Sequence, residues 1–433
     1  MTRPGRRRRP ERQIVKLTIV GGGSTYTPEI VDGLIRLRDR LTVTELALQD
    51  VSEDRLGVLA GMSRRMLAAG GHPATVTTHT DLGPAAEGAD IVLVQLRVGG
   101  QSARLRDETL PLRCDCLGQE TTGAGGLAKA LRTVPVMLDI AEKVRAVNPT
   151  AWLIDFTNPV GIVTRALLQA GHRRVVGLCS AAAVFQRHFA KVLGVTPDRI
   201  ALEHVGLNHL TWERRVLLDG TDVLPRLLAE HADRVAPATG LPADLVRRLG
   251  TVPSYYLHYY YSHDEVVARQ QKEGVRAQEV MEIEDELLAR YADDRVDTKP
   301  ELLTRRGGAY YADAALDLMA SLRGGDGRTH VVNLRNGTTL PFLPADAVIE
   351  VPATVAEDEA VAKPVEPLEP LIAGLVAHVT AYEHLALDAA VHGGRDRVFR
   401  ALLAHPLIGQ HAVADRLTDL ILAANRDHLP WAA

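Results

Sequence analysis

The stretch KLTIVGGGSTYTPEI, residues 16–30, decides the predicted fold, because a short β-branched strand runs directly into three glycines and then into a helix. Glycines let the backbone turn sharply and approach a pyrophosphate, and the amino terminus of the following helix offers free N–H groups. A second strand ends in Asp50, whose carboxylate can accept a hydrogen bond from an adenosine ribose and favours NAD over NADP. We therefore predict an NAD site at Gly21, Gly22, Gly23, Ser24, Thr25 and Asp50.

Outward from this stretch, strand-like apolar segments alternate with helical ones, which is the pattern of a parallel sheet covered by helices. The further strands are predicted at 75–78, 91–95, 152–156 and 174–179. From about residue 180 the helical blocks are longer, with strands at 201–207, 212–218, 329–335 and 347–351. We predict an α/β protein in which a Rossmann-like nucleotide domain, residues 14–180, precedes an α+β catalytic and oligomerisation region, residues 181–433.

Three long segments of the second region have a simple predicted structure. Charged and apolar residues at helical spacing predict one continuous helix over 264–291 and another over 396–425. The stretch 352–370, rich in Ala, Val, Glu and Pro, is predicted to be a surface loop.

Composition excludes several classes of protein. The chain has 433 residues, with 50 Lys+Arg against 54 Asp+Glu, and this balance argues against a nucleic-acid or anionic-membrane binder. Three cysteines are too few for a disulfide framework, and no apolar run approaches the ~20 residues of a membrane-spanning helix. Residues 1–13 hold six arginines and lead into a strand rather than a signal peptide. We expect a disordered basic tail on a cytoplasmic protein.

Polar clusters interrupt the apolar sequence at four places: GQETTG at 118–123, DFTNP at 155–159, GLC at 177–179 and GLNH at 206–209. Polar residues at strand ends are where an open parallel sheet binds its ligands. Cys179 and His209 are a thiolate and an imidazole that can share a cation. From these residues alone, a buried structural cysteine and a core histidine are the better supported interpretation.

The motifs together resemble those of the family-4 glycoside hydrolases, and in particular the 6-phospho-β-glucosidase branch. The resemblance rests on GGGSTYTPE at 21–29, the clusters at 118–123, 155–159 and 206–209, and RRGG at 305–308. It runs in order from about Lys16 to Asn425. These NAD-dependent enzymes are exceptions to the two-carboxylate rule of glycosidases.

The resemblance implies hydrolysis of 6-phospho-glycosides by redox-assisted elimination. NAD takes hydride from the sugar C3, a divalent metal, typically manganese, stabilises the enolate, and a tyrosine removes the C2 proton before the aglycone leaves, water adds and the hydride returns. By similarity Cys179 and His209 bind the metal, and Tyr256, in the aromatic run 255–261, is the base. The implied substrate-binding residues are Arg97, Glu120, Asn158, Asn208 and Arg306. A homodimer or homotetramer is implied as well.

Two departures from the family pattern keep alternatives open. Ser180 follows the cysteine where the family has Asn or Asp, and Ala181 to Ala183 replace a bulkier loop. The alternatives are a glycosidase of the same mechanism acting on a non-phosphorylated or α-linked glycoside, a malate- or lactate-type dehydrogenase, and a catalytically silent sensor of NAD or sugar phosphate. Cys114 and Cys116 are predicted to be packing residues.

Overall fold

A computed structural model of the chain describes residues 14–308 and 310–432, so the predicted basic tail over 1–13 lies outside the described residues. One sheet of thirteen strands runs through this part of the chain. Its strands are β1 Ile14–Val20, β2 Thr42–Gln49, β3 Thr75–His79, β4 Ile91–Val94, β5 Trp152–Asp155, β6 Val175–Gly177, β7 Ile200–Leu207, β8 Leu210–Leu218, β9 Thr221–Asp222, β10 Val252–Pro253, β11 Thr329–Arg335, β12 Val348–Val355 and β13 Ala360–Ala362.

The strand order explains where ligands can bind. It is β10-β8-β7-β12-β11-β6-β5-β4-β1-β2-β3, with β9 beside β8 and β13 beside β12. The six strands from β3 to β6 pair in parallel, whereas every pairing from β6 to β11 onwards is antiparallel. The order 3-2-1-4-5-6 reverses direction between β1 and β4, which opens a crevice at the carboxyl ends of these strands. The predicted Rossmann-like α/β fold is confirmed.

Seventeen α-helices are described alongside the sheet. They are α1 Thr27–Arg36, α2 Glu53–Ala69, α3 Leu82–Ala86, α4 Gly100–Thr109, α5 Gly123–Val147, α6 Val160–Gln169, α7 Ala181–Leu193, α8 Leu224–Val235, α9 Ala243–Leu249, α10 His258–Tyr261, α11 His263–Glu273, α12 Arg276–Ala292, α13 Leu303–Arg306, α14 Tyr311–Gly324, α15 Pro370–His392, α16 Arg395–Ala404 and α17 His411–Ala424.

Helices cover both faces of the sheet. The core on one face includes α5, α6 and the carboxyl-terminal helices α15, α16 and α17, and the core on the other includes α1, α2, α12 and α14. All four residues of β4, Ile91–Val94, are buried, as is typical of a parallel strand covered on both sides. Among the described residues, no helix is both long enough and apolar enough to cross a membrane.

Both predicted long helices are wrong, because each is interrupted. Residues 264–291 form α11 and α12, which are separated at Gly274, a residue with φ of +89°. Residues 396–425 form α16 and α17, and Pro406 lies between them. A proline disfavours the helical conformation of the residue before it, and His405 is extended at φ −78° and ψ 127°. Because the helical periodicity of the sequence continues on both sides of each break, the periodicity did not reveal that the helices end there.

The predicted surface loop over 352–370 is also wrong at its start. Strand β12 continues to Val355, and β13 pairs with it. Pro352, Ala353 and Val355 are buried. The Ala- and Pro-rich composition concealed this extension, because long-range pairing in the sheet rather than local preference holds the segment extended.

Candidate active site

The glycine turn, residues 21–23, connects β1 to α1 at the crevice. Gly21 has φ of +86°, and a Cβ atom there would lie 2.6 Å from the carbonyl oxygen of Gln95. The Gly23 N–H donates to Oδ2 of Asp50 at 3.0 Å, and the Ser52 N–H donates to Oδ1 at 3.1 Å. The predicted glycines and Asp50 are therefore neighbours, and the carboxylate also holds the turn in shape.

Thr25 is turned away from the glycine turn. Its hydroxyl donates to Oε1 of Glu284 on α12 at 3.0 Å, and its carbonyl oxygen accepts from the hydroxyl of Tyr291 at 3.0 Å. Ser24 accepts from the N–H of Tyr26 at 3.2 Å. The side chain of Thr25 thus ties the predicted nucleotide segment to the second region.

A two-residue turn between β7 and β8 presents Asn208 and His209. His209 has φ of +63°, a conformation that costs a non-glycine residue roughly 1–2 kcal/mol. Its Nδ1 lies 2.9 Å from the hydroxyl of Thr121, in the predicted 118–123 cluster. Backbone strain of this kind concentrates where surrounding structure fixes a side chain for function.

The aromatic run brings Tyr256 to the same turn. The rings of Tyr256 and His209 stack with centroids 3.6 Å apart and planes 11° apart. Cys179 follows β6, and the backbone of Ser180 and Ala181 and the side chain of Asn208 lie near its sulfur and favour its ionised form, although burial outweighs them. Cys179, Asn208, His209 and Tyr256 form one group, called the buried cluster below.

Burial dominates the ionisation of the buried cluster. It lowers the pKa of His209 to about 4, so the imidazole is neutral at physiological pH. It also raises the pKa of the Cys179 thiol and of the Tyr256 phenol well above their ordinary values. Both groups stay protonated in this environment unless positive charge is brought close to them.

The donors fit a transition-metal cation in part. A neutral imidazole and a buried thiol are ligand types that divalent first-row transition metals, from manganese to zinc, accept. Binding a cation would deprotonate the thiol. Within residues 14–308 and 310–432, no three His, Cys, Asp or Glu side chains are arranged as a metal site. Asn158 adds a buried Oδ1 atom that has no partner among the described residues. A cation at Cys179 and His209 therefore needs oxygen ligands from outside the protein.

A second charged group surrounds Glu120. Its carboxylate forms ion pairs with Arg97, with Arg104 at 3.3 Å and with Lys129 at 2.8 Å. Burial alone would raise the pKa of Glu120, but the three cations outweigh it and hold the pKa well below its ordinary value. Burial together with Arg97 lowers the pKa of Lys129 to about 8. Arg104 also pairs with Glu108 at 2.7 Å, so three cations face two carboxylates and one positive charge is left over.

Arg306 pairs with a different carboxylate and lies near the ring of Tyr26, which follows the glycine turn. Its guanidinium pairs with Glu284 at 2.8 Å, and Glu284 also accepts from Thr25 and Gln101. The two predicted anion-binding arginines thus each have a carboxylate partner, Glu120 for Arg97 and Glu284 for Arg306.

Several polar residues around the site were not predicted from the sequence. Among them are three fully buried ionisable residues, Glu213, His204 and Glu350, on the adjacent strands β8, β7 and β12. The sequence signal that could have identified Glu350 is an ionisable residue inside an otherwise apolar strand, VIEVPATV. Lys129 and Arg104 lie on helices, where a charged residue is ordinarily solvated and gives no such signal.

Ser180 occupies the position where the sequence departs from the family pattern. It is buried and precedes α7, which begins directly at Ala181. Its side chain lies near Tyr255, the neighbour of Tyr256, and favours the ionised form of that phenol, although burial raises the pKa of Tyr255. The serine thus contacts the aromatic run.

The fold and the buried cluster define a Rossmann-like α/β protein in which a thiol, an imidazole and a phenol meet beside a nucleotide-type crevice. The chain belongs to family 4 of the glycosyl hydrolases. Residues 16–195 match the family 4 glycosyl hydrolase family, and residues 204–408 match the C-terminal domain of that family. The predicted family is confirmed.

Known relatives cover nearly the whole chain. The 6-phospho-beta-glucosidase of Escherichia coli is 34% identical over 96% of this chain and 97% of its own. A 6-phospho-beta-glucosidase structure from Thermotoga maritima with manganese, NAD+ and glucose-6-phosphate has a TM-score of 0.90 at 30% identity, covering 96% of this chain and 99% of its own.

The dehydrogenase alternative is supported by fold alone. A malate dehydrogenase from Plasmodium falciparum in complex with NADH has a TM-score of 0.55 at 14% identity, covering 87% of this chain and 98% of its own. Such a likeness shows a shared architecture and carries no function. Family membership over both parts of the chain does not favour this alternative.

Proposed function

We propose that this protein hydrolyses 6-phospho-β-glucosides with NAD and a divalent cation, Mn²⁺, as cofactors. The observation that carries the proposal is the buried cluster, in which Tyr256 stacks on His209 next to Cys179. The relatives whose names specify 6-phospho-beta-glucosidase support the choice of substrate. When bound, NAD supplies a hydride acceptor and the cation supplies Lewis acidity.

In this proposal the protein contributes four kinds of interaction. Cys179 and His209 hold the cation, and the glycine turn with Asp50 holds the nucleotide. Asn158 and Asn208 bind sugar hydroxyls, a role for which the unpartnered Oδ1 of Asn158 is suited. Tyr256 accepts the proton from the sugar C2. Since burial raises the pKa of this phenol, Tyr256 acts as a base only when positive charge is bound beside it.

The excess positive charge around Glu120 supports a phosphorylated substrate. Arg97, Arg104 and Lys129 all reach this one carboxylate. Arginine binds phosphate oxygens in a bidentate manner, so a phosphate can share Arg97 with Glu120. Arg306 is proposed to assist, and it would have to share its guanidinium with Glu284.

Turnover in heavy water tests this proposal. Purified protein with NAD⁺ and Mn²⁺ is given nitrophenyl β- and α-glucosides with and without a 6-phosphate, and nitrophenol release and deuterium at C2 are measured. We expect release from the 6-phospho-β-glucoside with deuterium at C2, and none after the metal is removed with a chelator. Hydrolysis without deuterium incorporation would contradict the elimination mechanism.

The same experiment separates the alternatives left open by Ser180. Faster release from the α-linked or the non-phosphorylated glycoside would move the substrate assignment to that glycoside. A protein that binds NAD⁺ and glucose-6-phosphate but releases no nitrophenol from any of the four would be a sensor.

We also propose that the protein is a cytoplasmic homodimer or homotetramer. The three cysteines are free, and a thiol that binds a metal needs a reducing environment. Light scattering after gel filtration should give two or four times the 47.0 kDa mass of one chain. A monomeric mass at working concentrations would exclude this assembly.

A further inference from the structure

A row of buried ionised groups runs across three adjacent strands behind the buried cluster. His204 on β7 lies between two carboxylates, with Nδ1 2.7 Å from Oε1 of Glu213 and Nε2 2.9 Å from Oε1 of Glu350. All three side chains are at most 1% exposed. We call Glu213, His204 and Glu350 the carboxylate–histidine relay.

The geometry fixes the charges of the relay. Both ring nitrogens of His204 face carboxylate oxygens, and a neutral imidazole has only one N–H to donate. With both flanking carboxyl groups ionised, the ring is therefore an imidazolium. Burial alone would lower the pKa of His204, but Glu213 and Glu350 outweigh it and raise the pKa to about 10. Two carboxylates and one imidazolium leave one net negative charge.

The relay reaches the buried cluster through Asn208. Oε2 of Glu350 accepts from Nδ2 of Asn208 at 2.9 Å and from Nδ2 of Asn333 at 2.8 Å. A carboxylate only accepts, so the NH₂ group of Asn208 must face Glu350. Asn208 adjoins His209 in the turn between β7 and β8, and its side chain lies near Cys179. The amide orientation of Asn208 is thus set from behind.

We propose that Glu350 is a positioning residue for the cation site: it fixes the amide of Asn208, the residue next to the ligand His209 in the β7–β8 turn, and the relay adds one negative charge behind the metal ligands. This inference rests on the proposed function, since it assumes that Cys179 and His209 hold the cation. Partners of this kind, one shell outside the ligands, orient them and tune the affinity of a metal site.

The matched variants are Glu350→Gln and Glu213→Gln. Both replace a carboxylate that bonds to His204 and is 1% exposed, but only Glu350 touches Asn208. Mn²⁺ binding is measured from the electron paramagnetic resonance signal of the free ion, with no substrate present. We expect Mn²⁺ affinity to fall about 10–100-fold in Glu350→Gln. In Glu213→Gln it should fall less than about threefold, because the negative charge then stays on Glu350, beside Asn208, whereas in Glu350→Gln it moves to Glu213, which does not touch Asn208.

A third variant is a control for loss of folding. Glu350→Asp keeps the charge but withdraws the oxygens by one methylene, so it should weaken Mn²⁺ binding while NAD⁺ binding and the melting temperature stay close to those of the parent. Wild-type Mn²⁺ affinity in both folded Glu350 variants would overturn the proposal, as would an equal loss in Glu213→Gln. A wild-type protein that binds no Mn²⁺ would instead contradict the proposed function.

Discussion

The glycine turn and the buried cluster lie in the same crevice region but are built in different ways. The glycine turn is formed by residues close in sequence, and its partner Asp50 bonds directly to it. The buried cluster takes Cys179 from the end of a parallel strand, Asn208 and His209 from an antiparallel turn, and Tyr256 from an aromatic run. Backbone shape defines the first region, whereas burial defines the second by shifting the pKa of each of its titratable members.

The largest difference between the regions should appear when Tyr256 is changed. Tyr256→Phe removes the proposed base without changing the stacking on His209, so kcat should fall by about 10²–10⁴-fold. NAD⁺ affinity should be unchanged, because the glycine turn is intact. Tyr261→Phe is the matched control, since Tyr261 comes from the same run but packs against the apolar core. Full activity of Tyr256→Phe would remove the base assignment.

A strongly shifted pKa is not confined to the four residues of the buried cluster. Glu383, which is not one of them, provides a test of this kind of shift. Burial raises the pKa of this carboxyl to about 8. The native state therefore holds a proton that the unfolded state releases at about pH 4.5, so the parent protein should lose stability as pH rises from about 4.5 to 8.

Glu383→Gln should remove that slope. Relative to the parent, the free energy of unfolding of this variant should increase between pH 5 and pH 8 by at most about 1.4 kcal/mol per pH unit. Its melting temperature should rise relative to the parent over the same range. Thermal melts at both pH values measure the change. A constant difference between the two proteins would mean that Glu383 is ionised in the native state.

The glycine turn should respond to a single methyl group. In Gly21→Ala the new Cβ would lie 2.6 Å from the carbonyl oxygen of Gln95 at a φ of +86°, so the turn must shift. We expect NAD⁺ affinity to fall at least about tenfold, or about 1.4 kcal/mol, as measured by calorimetry. Gly57→Ala is the control: nothing lies within 4 Å of its Cβ, and in the middle of α2 it should stabilise the protein by about 0.5–1 kcal/mol.

The smallest effect is expected from Asp50→Asn. The amide oxygen can still accept from the Gly23 N–H, so the glycine turn is kept, while the bond from the Ser52 N–H and the negative charge are lost. NAD⁺ affinity should fall by about threefold to tenfold, because a neutral hydrogen bond of about 0.5–1.5 kcal/mol replaces one to a charged group of about 1.5–3 kcal/mol, and discrimination against NADP⁺ should weaken. Equal binding of both cofactors by the parent protein would contradict the role assigned to Asp50.

Prediction from sequence was most successful where the signal is local. The strand, three glycines, helix and Asp50 follow one another directly, and the motifs at 118–123 and 206–209 are contiguous. The breaks at Gly274 and Pro406 were missed because helical periodicity continues on both sides of each. The extension of β12 was missed because Pro352, Ala353 and Thr354 pair with residues of β11 that lie more than 20 positions earlier in the chain.

By itself, the sequence determined the α/β class, the family and the residue types that the proposed chemistry needs. Only the tertiary structure decided how these residues are paired: Arg97 with Glu120, Arg306 with Glu284, and Asn208 with Glu350. The physical reason is that motifs record backbone geometry within a few residues, whereas ionisation and amide orientation depend on burial and on charges brought together from distant strands.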